Sequence, residues 1–395
     1  MRIITLNRSS QASAWFDLLR WLAALYVVVF HLRPILFVGN SALPAHQLGA
    51  KLAYGITSLG YQFVMLFFVL SGFLIGSSVL KKIQNGTWSW SDYLLQRLTR
   101  LWIVLLPALV LSWIWARVEV GIFHNNSYFT STTNLHIFLG NLLFLQGVFV
   151  PNFSQNLPLW SLTYEFWYYM MFPCVVLMVR SKEWKKRLLY SFMLLLMVCV
   201  LGKSIVLYFV IWLLGACIAV LPTLEAASKS TKVVFLSLLS LCVAPVVLLF
   251  GKIYIMKYHV ANFDMVRSFP ADFLVAIVFA AILYLVLHLS NGRIASSRMQ
   301  RASASLAGFS YTLYLTHYPI INFLRVAVGN GTWGVWRPTL LTLTLAMTIL
   351  AGILCYAWFI ARLTEARTTQ FRNTMMVIIR SGKRAVRRMG FMESH

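Results

Sequence analysis

Arg20 and His31 stand inside the first long apolar stretch of the chain, Trp15 to Leu32, where a lipid-facing helix has no use for either. Their separation amounts to about three helical turns, so the two side chains share one face roughly 16 Å apart along the axis. Asp17 precedes Arg20 by the spacing of helical neighbours and can pair with it. An imidazole on such a stripe can serve as a general base or a nucleophile near neutral pH, and a guanidinium can bind an anion. Ionisable groups at bilayer depth cost at least a few kcal/mol each and mark a cavity, a relay or a site.

Four further segments carry polar groups into apolar surroundings. Arg97 and Arg100, one turn apart just before Pro107, form a fork suited to phosphate, although basic residues there also signal topology. Ser71 and Gly72, in the inner half of an apolar run and at Arg20's expected level, allow a close approach by a ligand or by another helix. Glu165 is the acid within Leu159 to Tyr169. Counted inward from the outer surface it reaches about 12 Å, His31's expected depth, so a carboxylate–imidazole pair is expected; the alternative is a protonated carboxyl held for packing. His317 follows Tyr314 in Ser310 to Pro319, where it is either a site residue or a histidine bonded to backbone freed by the proline. His46, His124, His136, His259, His288 and His395 show no metal-ligand spacing, and no metal site is expected.

These residues need a membrane bundle to hold them. The chain is 60% hydrophobic over 395 residues, with mean hydropathy +0.76, far above what a soluble core requires. About ten segments are long enough to cross a bilayer: 15–33, 56–80, 100–121, 157–179, 187–202, 204–222, 232–250, 270–289, 303–328 and 338–361. Residues 134–149 read as interfacial or dipping rather than crossing. The expected fold is therefore an all-α, polytopic membrane protein, with a helical bundle over 1–361 and a basic tail over 362–395.

Lys and Arg number 34 against 10 Asp and Glu, and the excess gathers in alternate loops beside apolar spans. That pattern fits topology, with both termini cytoplasmic and anionic lipid beneath the tail, and argues against a nucleic-acid surface. Lys203 and the loop 251–269 run against the rule. The five cysteines lack CxxC spacing and read as small core residues. Small residues precede the first span instead of following it, so that span is expected to be retained. No internal repeat is visible, which weighs against an inverted-repeat transporter.

Taken together, Arg20 and His31, Ser71-Gly72-Phe73-Leu74, Arg97-x-x-Arg100, Trp160-Ser161-Leu162-x-x-Glu165 and Ser310-Tyr311-x-x-Tyr314-Leu315-x-His317 resemble the acyltransferase type 3 family. The resemblance covers nearly the whole chain. It departs at Asp17-Leu18-Leu19-Arg20-Trp21, where the family commonly has glycines around the leucine-arginine pair. It implies a multi-pass enzyme of the cell inner membrane with no bound cofactor. That enzyme takes an acyl group, acetyl by default, from cytoplasmic acyl-CoA as co-substrate to a hydroxyl of a glycan or lipid-linked saccharide, such as O-antigen or exopolysaccharide, on the outer side. Arg20, Arg97, Arg100, Ser71 and Gly72 are then expected at the acyl-CoA, His31 and Glu165 at the chemistry, and Tyr314 and His317 on the acceptor side. Loops 34–55, 118–156, 251–269 and 329–337 would shape the acceptor pocket. The alternative from a different class is a secondary transporter or exporter of a lipid-linked or small polar substrate, which would also use intramembrane charge.

Overall fold

The computed structural model describes residues 3–44, 47–124, 129–222, 265–290, 292–329 and 331–376. The expected span 232–250, with Cys242, His46, His259, His395 and the tail beyond 376, lies outside the described residues. Among the described residues the chain is helical and contains no strand, as the apolar segments require. The helices are α1 Gln11–Leu36, α2 Leu48–Thr57, α3 Gly60–Gln84, α4 Trp90–Phe123, α5 Phe129–Thr132, α6 Leu135–Leu142, α7 Leu159–Arg180, α8 Trp184–Leu201 and α9 Lys203–Ile218, followed by α10 Met265–Ser290, α11 Ser297–Ala307, α12 Ser310–Gly329 and α13 Leu340–Leu363. Six spans among them, built on α1, α3, α4, α7, α10 and α13, are long and apolar enough to cross a membrane.

Two expected spans change form. The stretch 303–328 is broken at Gly308 into α11 and α12, and 56–80 starts only at Gly60, after α2 has ended. α1 is started by Ser10, whose hydroxyl accepts from Ser13 N at 3.2 Å. The ends then meet in two layers. Ile4 N donates to Ala219 O beyond α9, and Gln11 N donates to Arg293 O ahead of α11. At the other face the last residues of α1 pair with the segment before α13, Trp336 N donating to Leu36 O and Val38 N to Trp336 O.

α3 sits at the centre, packed by α1, α7, α9 and α10. Its contact with α9 is backbone against backbone. A Cβ on Gly72 would stand 2.0 Å from Trp212 O, and one on Gly215 would stand 2.0 Å from Val69 O. Glycine is required at both positions, because helices this close leave no volume for a side chain. Four of the five cysteines are described: Cys174 is buried, whereas Cys199, Cys217 and Cys355 are exposed. The expectation that they are core residues holds for the first alone. An unpaired thiol behaves as a small hydrophobe and is as content against lipid as inside.

The stretch expected to lie at the interface or to dip is buried against the neighbouring helices. Between α6 and α7 the chain takes left-handed backbone at Phe144, Gly147, Ser154 and Gln155 and buries Asn141, Gln146 and Asn156. Irregular backbone survives at membrane depth only where protein satisfies its polar groups. Trp102 Nε1 donates to Leu142 O at 2.9 Å, Trp167 Nε1 to Phe144 O at 3.1 Å and Gln146 Nε2 to Leu159 O at 2.9 Å. Asn141 bridges the segment, donating to Pro151 O at 2.9 Å and accepting from Phe153 N at 3.1 Å. As a result α7 begins inside the bundle.

Candidate active site

Prolines prepare the site. A helical proline leaves the carbonyl four residues before it without its usual donor. Pro319 frees Leu315 O, which accepts from Asn156 Nδ2 at 2.9 Å; Pro173 frees Tyr169 O, which accepts from Tyr93 Oη at 2.9 Å. These bonds fix α7 against α4 and α12, and with them the residues that face the interior.

One end of the interior is a cluster of opposed charges. Arg20 Nη2 binds Asp17 Oδ1 at 3.0 Å, as the spacing predicts. Arg20 also lies in electrostatic range of Arg100, Glu365 and Glu165. Arg97 has Arg100 and Glu165 in range, and its guanidinium lies 5.9 Å from the ring centroids of both Tyr93 and Tyr169. The Nε atoms of Arg20 and Arg97 are buried and make no hydrogen bond among the described residues. Guanidinium donors left open in this way can take an anion. α4, at 34 residues, spans about 51 Å and overruns a hydrocarbon layer of about 30 Å, so Arg97 and Arg100 fall in its overhanging first third.

Glu365, within the segment expected to be a basic tail, belongs to this cluster. Just past α13 the chain turns back so that Glu365 Oε2 accepts from Thr312 N at 3.1 Å and Thr312 Oγ1 at 3.0 Å. A carboxylate there answers the unpaired amides and the positive end of α12. The signal available in the sequence was an acid in an otherwise basic stretch.

Glu165 is bound elsewhere than expected. Its Oε1 accepts from Ser71 Oγ at 3.0 Å and from Tyr169 Oη, and the Ser71 hydroxyl also receives Trp212 Nε1 at 3.3 Å. No hydrogen bond joins Glu165 to His31 among the described residues, and the expected carboxylate–imidazole pair is corrected to a carboxylate–serine–tyrosine cluster facing the arginines. α7 starts buried within the bundle rather than at the outer surface, which carries Glu165 further inward. Gly72 is also corrected. Of the two expected uses, ligand or helix, its face serves the helix, being filled by α9's backbone, and the adjacent Ser71 alone turns toward the interior cluster.

At the other end His31 lies against His317, their ring centroids 5.5 Å apart and tilted by 32°. Phe30 and Tyr318 meet the His31 ring edge-on, at 5.0 Å each. His317 is buried, with Nδ1 3.0 Å from Leu313 O. Between the two ends stands Tyr314. Its hydroxyl makes a 2.7 Å hydrogen bond with Ser161 Oγ, its ring lies 5.5 Å from Phe67 and 6.1 Å from His317, and Glu165 is in its electrostatic range. The expected residues Arg20, Ser71, Arg97, Arg100, Glu165, Tyr314, His317 and His31 thus form one polar column through the helices.

A second buried group was not foreseen. Asp272 of α10, fully buried, accepts from Tyr208 Oη, which lies 3.1 Å from Tyr61 Oη. An acid within the apolar run 270–289 was the available signal.

A family model described as an acyltransferase domain matches residues 13–360. An uncharacterized protein of Haemophilus influenzae is 30% identical over 146 residues, 36% of this chain and 59% of the relative. The chain therefore spans less than two thirds of that relative's length. No solved structure matches the chain. The family match contains the whole column from Arg20 to His317, and the chain belongs to the acyltransferase type 3 family.

Proposed function

We propose that this membrane acyltransferase has about ten spans with both termini in the cytoplasm, and that it moves an acetyl group from cytoplasmic acetyl-CoA to a glycan hydroxyl on the outer side of the cell inner membrane. The observation that carries the reading is the column itself, with open guanidinium donors at one end and a half-buried imidazole at the other. A multiply anionic nucleotide with a neutral thioester arm matches such a gradient from charged to dry.

In this reading Arg20, Arg97 and Arg100 hold the phosphates while the pantetheine arm passes Ser71 and Tyr314. His31 takes the proton of the acceptor hydroxyl as that oxygen attacks the thioester carbonyl, and the proton then passes to the departing thiolate. Glu165 works at the arginine end, where with Tyr169 it holds Arg97 in place. The acceptor is a saccharide presented from the outer side, and anionic lipid headgroups neutralise the basic segment after α13.

The test is transfer of radiolabel from acetyl-CoA in membranes that contain the surface glycan, with mass spectrometry of the product. Wild-type protein should add the mass of one acetyl group at a defined sugar, and His31→Ala should abolish the addition at normal expression. Full activity in His31→Ala would remove His31 from the chemistry. Movement of intact substrate across vesicles without acetylation would favour a transporter instead.

A further inference from the structure

The two imidazoles at the dry end of the column differ in what their nitrogens are free to do. Leu313 O can only accept, so His317 Nδ1, 3.0 Å away, carries a hydrogen and donates it. In the neutral ring Nε2 then carries the lone pair. That Nε2 is buried and has no hydrogen-bond partner among the described residues. A buried acceptor left open is costly, and a neighbouring N–H would remove that cost. Tyr314's hydroxyl is taken by Ser161; of the other polar rings packed against His317, His31's centroid at 5.5 Å is nearer than Tyr318's at 6.2 Å.

His31 itself lacks an orienting carboxylate. Among the described residues no acid is hydrogen-bonded to either ring, since Glu165 is held by Ser71 and Tyr169 and Glu365 by Thr312. A general base needs one nitrogen fixed so that the other presents its lone pair, a task that usually falls to an acceptor at the far nitrogen.

We propose that His317 is the positioning residue for His31: its Nε2 accepts a hydrogen bond from one ring nitrogen of His31 and so turns the other, unprotonated nitrogen toward the acceptor hydroxyl. A small rotation of the half-buried His31 ring is sufficient at a centroid separation of 5.5 Å. The proposal rests on the reading of His31 as base. In the step, the acceptor O–H bond breaks as the new C–O bond forms, the thioester C–S bond breaks, and the proton travels from the hydroxyl to His31 and then to the thiolate sulfur. His317 gains and loses no proton.

The experiment compares His317→Gln with His317→Met, side chains of similar length of which Gln presents a strong hydrogen-bond acceptor. Acetyl transfer from acetyl-CoA is measured in membranes bearing the glycan, with size exclusion and thermal unfolding of the full chain as folding controls. The expected result is a fall in kcat for Met of about a hundredfold, an unchanged KM for acetyl-CoA, and at least about tenfold recovery of kcat in Gln. Equal kcat in the two variants overturns the proposal, as does loss of folded protein in both, which assigns His317 to packing. An active His31→Ala would sink the parent reading whatever His317 does; an inactive His31→Ala with indifferent His317 variants sinks this inference alone.

Discussion

Asn156 donates its side-chain amide to the carbonyl of Leu315 at 2.9 Å, across a chain separation of 159 residues. The carbonyl is open because Pro319 has no N–H to offer, so a helix-breaking residue and a distant amide form one structural unit. The bond seats the buried start of α7 against α12 and sets the depth of everything that follows on α7.

Asn156→Ala should therefore destabilise the protein by about 1–3 kcal/mol, because it strands a buried carbonyl. Pro319→Ala in that background restores a helical donor to Leu315 and should recover part of the loss. Thermal unfolding of the two single variants and the double variant checks this; strictly additive effects would contradict the coupling.

Gly72→Ala should strip the membrane of folded protein, since its Cβ would stand 2.0 Å from Trp212 O, a backbone atom that cannot move aside cheaply. Gly121→Ala, where a Cβ meets nothing within 4 Å, is the matched control and should fold normally. Fluorescence-detected size exclusion of the pair reads the difference.

Arg97→Ala combined with Arg100→Ala should raise KM for acetyl-CoA by at least about tenfold and leave kcat for bound substrate much less affected. The wild-type KM should rise with salt and the variant's should respond less. Steady-state kinetics at two ionic strengths test both statements.

Glu365→Gln keeps an acceptor for Thr312 but removes a negative charge from the arginine cluster. A gain of about 1 kcal/mol for an incoming anion corresponds to a roughly fivefold lower KM for acetyl-CoA. An unchanged or higher KM would place Glu365 outside the binding region.

The sequence made the helical class and nearly all of the column legible, because an Arg, Glu or His in an apolar run has few uses other than an interior one. Depth was less legible. Counting residues inward placed Glu165 beside His31, whereas the stretch from Asn141 to Asn156 sinks the start of α7 and moves the acid to Ser71 and Tyr169. Gly72 was legible as a close approach by a helix or a ligand, and the backbone of α9 is what fills the place. Glu365 escaped because electrostatic range across the fold has no local periodicity, and Asp272 because its partners lie on other helices.

The threaded stretch ahead of α7 also bears on biogenesis. Its polar groups are made long before the Leu315 carbonyl, so Asn156 must wait until about as much chain again has been synthesised as already exists. Until α12 arrives the amide has the Ser112 hydroxyl at 3.4 Å but lacks its closer partner at 2.9 Å. The seat of α7 is thus completed only when a helix made in the last quarter of the chain has folded against it.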